Sequence, residues 1–240
     1  MLDPLLTRQI VSAITRRVTR TDISVKCRIG VTGRESFDDL VEFVHNLSRG
    51  GVSKVIVHAR KCVLRGLSPA QNRVIPPLDH DVVRQLTSFF PEMRFVLNGG
   101  VETLDEAVSA LEWTHGAMIG RAAYNLPMMF VEADSKVYGA PRHDTSKSRT
   151  DVMDAYIDFA SKMHDQAAYG SGFPNLCKPM HNFFNDCPDR MAVKQYKQTL
   201  DAKLKEDASK FLAFEDLIWE VIDPIFTKTF LEGPIVADVD

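Results

Sequence analysis

The chain has 240 residues, 45% hydrophobic and 25% charged, the balance of an ordinary globular protein of one or two domains. This excludes a disordered chain, a collagen and a disulfide-rich mini-protein. The net charge of −3 hides an asymmetry, with 13 Lys+Arg against 6 Asp+Glu in residues 1–73 and 9 against 16 in residues 150–240. A basic start can attract a polyanion, and a solvated mixed surface is the alternative. With no run of 18 apolar residues, no membrane span is expected. The start MLDPLLTRQIVSAITRR has no secretory pattern. Four cysteines without a CxxC pair fit a reducing compartment; the expected location is the cytoplasm, with an organelle as the alternative.

Leu5 to Arg20 reads as an amphipathic helix with Leu6, Ile10, Ala13 and Ile14 on one face. Ile23–Ile29 reads as a strand ending at Gly30. Ser36 is placed to cap a helix over Phe37–Leu47, stopped by Gly50-Gly51. The β-branched run Val52–Val57 reads as a buried strand, followed by a polar connection from Arg60 to Asp79. Asp81–Phe90 is helical up to Pro91, and Arg94–Leu97 is a strand ending in Asn98-Gly99-Gly100. Thr103 caps a helix over Leu104–Trp113, and Ala117–Ile119 is the last short strand, before Gly120-Arg121.

These strands are apolar throughout, which predicts a parallel sheet buried on both faces with helices outside. A closed β/α barrel needs eight strands and about 250 residues. The four found here make either a small open α/β domain or half of a barrel. Residues 134–149 read as a linker with Gly139 and Pro141. Beyond it, Asp151–Ala168, Leu176–Phe184, Met191–Leu204 and Phe211–Phe230 carry helical spacing, which predicts a small helical bundle over 150–240. The tail after Gly233-Pro234 is expected to fray.

In parallel α/β folds the ligand site lies at the strand C-termini. Four successive expected strand ends carry polar residues and glycines: Lys26 and Arg28, His58 and Arg60, Asn98-Gly99-Gly100, and Gly120-Arg121. Glycine lets the backbone approach an anion closely, so the paired glycine turns with cationic Arg121 suggest a phosphate site. Lys26 in an apolar strand is costly to bury unless it faces a polar ligand; alternation onto a solvated face is the alternative. His58 beside Arg60 and Lys61 suggests an anionic or proton-transferring site, against a hydrogen-bonded structural histidine. Cys27 alternates away from Lys26 and reads as packed. Cys62 has cations beside it but no base, and reads as structural. Residues 173–205 hold 6 Lys+Arg against 3 Asp+Glu, a basic island that suits a nucleic-acid backbone or simply a solvated helix. No metal site is expected.

VKCRIG (25–30), IVHARK (56–61), GLSPAQNRVIPPLDHDVV (66–83), LNGGV (97–101) and MIGRAAYNLP (118–127) together resemble the tRNA-dihydrouridine synthases. Their length and order favour the subfamily acting at position 20 of the tRNA D-loop and its neighbour. KPMHNFF (178–184) is similar to the start of that family's helical RNA-binding segment, and the resemblance runs over residues 1–206. It implies an FMN-binding β/α barrel followed by a helical domain. The implied reaction reduces the C5=C6 bond of tRNA uridines, with NADPH recharging the flavin. By the resemblance, Lys26 and His58 contact FMN, while Asn98, Gly99, Gly100, Gly120 and Arg121 hold its phosphate. Arg73 approaches tRNA, and Arg60, Arg190 and Lys194 are further tRNA candidates.

Met1-Leu2-Asp3-Pro4 resembles an internal family segment. The family's first barrel half, with its catalytic cysteine in a CPS-like motif, would precede it. None of Cys27, Cys62, Cys177 or Cys187 lies in such a context. The expectation is therefore the second half of a barrel over 1–133, a linker over 134–149 and a helical tRNA-binding domain over 150–240. The chain alone is expected to be inactive. Its expected partners are tRNA, no membrane, and the missing half or another chain covering the open barrel edge. The alternative is a non-catalytic RNA- or protein-binding remnant. A third reading is another phosphate-binding β/α enzyme, separable by whether yellow flavin is bound.

Overall fold

Strands and helices alternate from Met1 to Gly120, the first of two units in this computed structural model, which describes residues 1–141, 148–166, 172–205 and 213–235. The order is α1 (Pro4–Arg17), β1 (Ser24–Val31), α2 (Phe37–Arg49), β2 (Lys54–Cys62), α3 (His80–Phe89), β3 (Arg94–Asn98), α4 (Leu104–Leu111) and β4 (Gly116–Met118). Each helix begins where a short polar side chain satisfies the first free N–H groups. Asp3 accepts from Leu6 N at 2.8 Å, and Asp79 from Val82 N at 3.1 Å. Ser36 with Asp39, and Thr103 with Glu106, form reciprocal capping boxes. The strands pair in the order β1-β2-β3-β4, every pair parallel, as a β-α-β pattern requires.

The sheet is not buried on both faces. Burial alternates along β2, with Val55, Val57 and Ala59 buried while Ile56, His58 and Arg60 are half-buried. The buried set packs with Cys27, Ile29, Phe95 and Leu97 against Leu40, Phe43, Val44 and Leu47 of α2, Val83 and Leu86 of α3, and Ala107 and Ala110 of α4. Register puts the other set in two rows on the opposite face, Lys26–Ile56–Val96–Gly116 and Arg28–His58–Asn98–Met118. The helical core does not include Ile56 or Val96. Their apolar character gave the strands a look of two-sided burial that the helices, all on one side of the sheet, do not supply.

Two further expectations change. β2 does not stop at Val57. Its pairing with β1 continues across an irregularity between Arg28 and Gly30 to Gly30↔Lys61 and Val31↔Cys62, so His58 and Arg60 lie inside the strand. The apolar face of α1 is not buried either: Leu6 and Ile10 are each 51% exposed, and Ala13 and Ile14 also face out. α1 instead meets α2 through Val11, which sits over Gly50.

The second unit runs from Arg121 to Asp240, and all its described helices and turns lack strand partners apart from one bridge, Ser148 to Pro234. It contains α5 (Arg121–Asn125), a 3-10 turn Pro127–Glu132, α6 (Ala133–Tyr138), α7 (Arg149–Asp165), α8 (Phe173–Leu176), a 3-10 turn Met180–Asn182, α9 (Arg190–Lys205), α10 (Phe214–Ile222) and α11 (Lys228–Glu232). Its core includes Met153, Ile157, Met180, Phe184, Tyr196, Leu200 and Phe214. Met128 belongs to that core, and Asn182 and Asn185 donate to the carbonyls of Tyr124 and Asn125 at 3.0 and 2.7 Å. These contacts put Arg121–Glu132 with the helices rather than with the sheet.

The stretch expected as a linker contains α6, which Gly139 closes in the left-handed conformation at φ 66°; residues 142–147 lie outside the described residues. The helix expected over Leu176–Phe184 is two short turns, because Pro179 has no N–H to continue the ladder. The one expected over Phe211–Phe230 breaks at Pro224 into α10 and α11 for the same reason. Residues 167–171, 206–212 and the expected frayed tail beyond 235 lie outside the described residues. No described helix is long and apolar enough to cross a membrane.

A Cβ at position 50 would lie 2.3 Å from Val11 Cγ2. Gly50→Ala should therefore push α1 off α2 and cost about 1–3 kcal/mol in denaturant unfolding. An unchanged midpoint and slope would show that this contact is slack.

Candidate cofactor site

The uncovered face of the sheet carries an interlocked polar set. Lys26 Nζ donates to Asn98 Oδ1 at 2.7 Å across β2, and Asn98 Nδ2 donates to the Met118 carbonyl at 3.3 Å. The second bond fixes the orientation of the amide: the nitrogen must face the carbonyl, so the oxygen faces Lys26. Asn98 is buried, whereas Lys26 keeps an exposed surface. Partial desolvation holds the Lys26 ammonium below its ordinary pKa, and the neighbouring Arg28 charge acts in the same direction. One ammonium proton is committed to Asn98, which leaves two to a ligand.

His58 pairs in register with both Arg28 and Asn98, and its ring lies against the turn that follows β3. Gly99 and Gly100 have φ of 102° and 78°, values that glycine adopts without strain. A Cβ at 99 would lie 2.5 Å from His58 Cδ2, and one at 100 would lie 2.6 Å from Leu78 Cδ1. His80 Nε2 is 2.8 Å from the Gly99 carbonyl oxygen. The glycines thus have a packing reason beside the expected one of anion approach. At Gly120 the case differs: a Cβ there meets none of the described residues within 4 Å, so their packing does not demand glycine.

Arg28 and Arg60 share this face but turn toward the connection after β2. Arg28 donates to the carbonyls of Asn72 at 2.8 Å and Lys61 at 3.1 Å. Arg60 donates to the Val74 carbonyl at 3.1 Å and also to that of Pro76. Arg60 was expected at tRNA; its guanidinium is engaged inside its own chain. Arg73, by contrast, is exposed at the end of a 3-10 turn Gln71–Arg73.

The remaining candidates are in the second unit. Arg121 opens α5 and is exposed. Arg190 and Lys194 are one turn apart on α9, both exposed, while Val193, Tyr196 and Leu200 form its buried side. Arg190 also donates to the Asn185 carbonyl at 2.8 Å. All four cysteines are free thiols. Burial pushes both Cys27 and Cys177 up to about 12, so neither is poised as a thiolate.

Of the residues singled out from sequence, the first unit brings Lys26, His58, Asn98, Gly99 and Gly100 together on one face of the sheet, but only Asn98-Gly99-Gly100 stands at a strand end; Lys26 is the third residue of β1 and His58 lies in the middle of β2. Arg28 as a loop tie, Asn72, Leu78 and His80 were missed as parts of this region. Each lies in a segment singled out from sequence, Arg28 in VKCRIG and the rest in GLSPAQNRVIPPLDHDVV, but the contacts that give them a part here are not encoded by spacing.

A parallel sheet alternating with helices places the first unit in the β/α class, in which ligand sites lie toward the strand C-termini. The sequence model of the dihydrouridine synthase family matches residues 1–218, and the chain belongs to that family. It is 32% identical over 223 residues to the tRNA-dihydrouridine(20/20a) synthase of Pseudomonas putida, covering 91% of this chain and 62% of that protein. The protein of the same name from Pseudomonas syringae pv. tomato is 39% identical over 183 residues, covering 72% and 54%. That of Synechocystis is 33% identical over 202 residues, covering 83% and 57%. The chain therefore spans between about half and two thirds of the length of these relatives.

Gly99→Ala combines left-handed strain with a clash on His58 and should cost roughly 2–4 kcal/mol of unfolding free energy. Gly120→Ala, in open space, should leave stability within about 0.5 kcal/mol. Equal losses at the two positions would contradict the packing account. For Lys26, the folded pKa lies below the unfolded one, so the unfolded chain binds more protons between the two values. Stability from this group then rises with pH through that window. Lys26→Met should accordingly gain more over the wild type at pH 7 than at pH 10 in parallel urea titrations, and a constant difference would show that the ammonium is not desolvated.

Proposed function

We propose that this chain is the flavin-holding part of a tRNA-dihydrouridine synthase that acts on the D-loop, at position 20 and its neighbour. The observation that carries the reading is the uncovered face of the sheet. A parallel sheet with helices on one side only, and with Lys26, His58 and Asn98 on the other, is what half of a β/α barrel would look like from its interior. In this reading the remainder of the barrel, with the acid that protonates the base, comes from outside these 240 residues. The share of the relatives' length that the chain spans supports it.

Bound at this face, FMN would supply the hydride that reduces the C5=C6 bond of a tRNA uridine, with NADPH as the reductant that restores it. The donors present suit that group. Lys26, held by Asn98, would offer ammonium protons and a positive charge to the electron-accepting flavin ring, where they would stabilise the negative charge of its reduced form. His58, wedged against Gly99, forms a wall that excludes water. Asn98, Gly99, Gly100, Gly120 and Arg121 are the proposed phosphate contacts, with open space at Gly120 leaving room for an anion. Arg73, Arg190 and Lys194 are the proposed tRNA contacts, and residues 150–240 the helical tRNA-binding part. The proposed compartment is the cytoplasm, where tRNA, NADPH and free thiols coexist.

Two measurements test the reading. In a version that contains the whole barrel, Arg121→Ala should weaken FMN binding roughly 10- to 100-fold, as read by flavin fluorescence, because a charge-assisted phosphate contact is worth about 1.5–3 kcal/mol. The 240-residue chain, given FMN, NADPH and unmodified tRNA, should form no dihydrouridine above a flavin-only control, since a positioned acid contributes about 10²–10⁴-fold. Unchanged flavin affinity would remove Arg121 from the site, and turnover by the short chain would show that it holds its own acid.

A further inference from the structure

The connection between β2 and α3 has no regular structure beyond the turn Gln71–Arg73, yet it is densely tied. Asn72 is buried and bonds both ways to Val63: its Oδ1 accepts from Val63 N and its Nδ2 donates to Val63 O, each at 2.8 Å. Ser68 and Gln71 exchange backbone-to-side-chain bonds at 2.8 and 3.2 Å. Asp79 N donates to the Ala59 carbonyl at 2.9 Å, closing the loop back on β2. The carbonyls of Asn72, Val74 and Pro76 accept from the two arginines of the open sheet face, Arg28 and Arg60. On the outside of the same loop, Arg65 and Arg73 are exposed.

Such a division of labour has a physical logic. A loop of this length would lose much conformational freedom when it docked on a polyanion. Ties made before binding remove that cost. In each arginine one terminal nitrogen, Nη1, makes both carbonyl bonds, and the planar guanidinium holds those two N–H directions fixed, whereas the donors of an ammonium rotate.

We propose that Arg28 and Arg60 are positioning residues that pre-order the loop from Val63 to Asp79, and that they act on tRNA only through Arg65 and Arg73, which meet its phosphate backbone. This rests on the tRNA reading above and deepens it, by assigning a rigid RNA-facing platform and removing Arg60 from direct contact.

Charge and geometry separate the two roles. In the 240-residue chain, Arg60→Lys keeps the charge and loses the fixed planar donor geometry, whereas Arg60→Met loses both. Hydrogen exchange without RNA should speed up about tenfold or more at the amides of Val63, Asn72 and Ile75 in both variants, with the β3 amides unchanged as a control for folding. Arg28→Lys should act in the same way. Binding to an unmodified tRNA transcript should weaken by about tenfold in both Arg60 variants, and this loss should vanish in an Arg65→Ala/Arg73→Ala background, since residues acting through one path are not additive. A direct phosphate contact predicts the reverse: unaltered exchange, near-normal binding by Arg60→Lys, and a loss by Arg60→Met that persists in the double background while the salt slope falls by roughly one. That pattern overturns the proposal. If the wild-type chain shows no salt-dependent tRNA binding, the tRNA reading fails with it, and the exchange measurement still decides whether the arginines order the loop.

Discussion

A parallel sheet buries its apolar strands only if something covers both faces, and in this unit helices cover one. Most other features of the first unit follow from that asymmetry. Val55, Val57, Phe95 and Leu97 are sealed under α2, α3 and α4, and they make the half of the sheet that can stand alone. The opposite rows hold Ile56 and Val96 among Lys26, Arg28, His58 and Asn98, too apolar for a solvent face and too charged for a core. Among the described residues, the edge strands β1 and β4 each leave one ladder unpaired. A surface of mixed character, bounded by free edges, is suited to enclosing a polar ligand against a second wall rather than to facing bulk water.

The polar groups on that face are of two kinds, distinguished by where their hydrogen bonds go. Arg28 and Arg60 direct theirs into carbonyls of their own chain, and so stabilise the loop that rims the strand ends. Among the described residues, Lys26 bonds an amide whose other end is anchored on β4, and two of its ammonium protons stay uncommitted there. Residue type alone does not separate these kinds; the spacing Lys26, Arg28 and then His58, Arg60 looks uniform along the chain. Only the partner of each side chain tells a ligand donor from a structural tie.

That is also the boundary of what could be read from the chain itself. The strand positions, the capping residues Ser36 and Thr103, the parallel order and the helical character of the second unit all arise from local periodicity and short-range bonds. In the second unit Pro179 and Pro224 were local signals that broke two expected helices; the other failures are non-local. Whether Ile56 faced helices or open space depended on where helices packed. The length of β2 depended on pairing with β1 past the irregularity at Arg28. The outward face of α1 depended on Val11 finding Gly50, distant in sequence. The placement of Arg121–Glu132 with the helical unit turned on Asn182 and Asn185 reaching backbone carbonyls nearly sixty residues earlier, a contact no window of sequence displays.

The glycines carry the last step. From sequence, Gly99-Gly100 and Gly120 formed one argument, since each ends a strand and glycine admits an anion. In the folded chain they separate. Gly99 and Gly100 hold left-handed backbone and stand where His58 and Leu78 leave no room for a Cβ, so protein packing accounts for them in full. Gly120 has no such backbone and no neighbour within 4 Å of where a Cβ would stand. Among the described residues, no contact requires glycine there. The case for a bound phosphate therefore weighs most on Gly120, the position where the protein's own contacts leave the choice of residue unexplained.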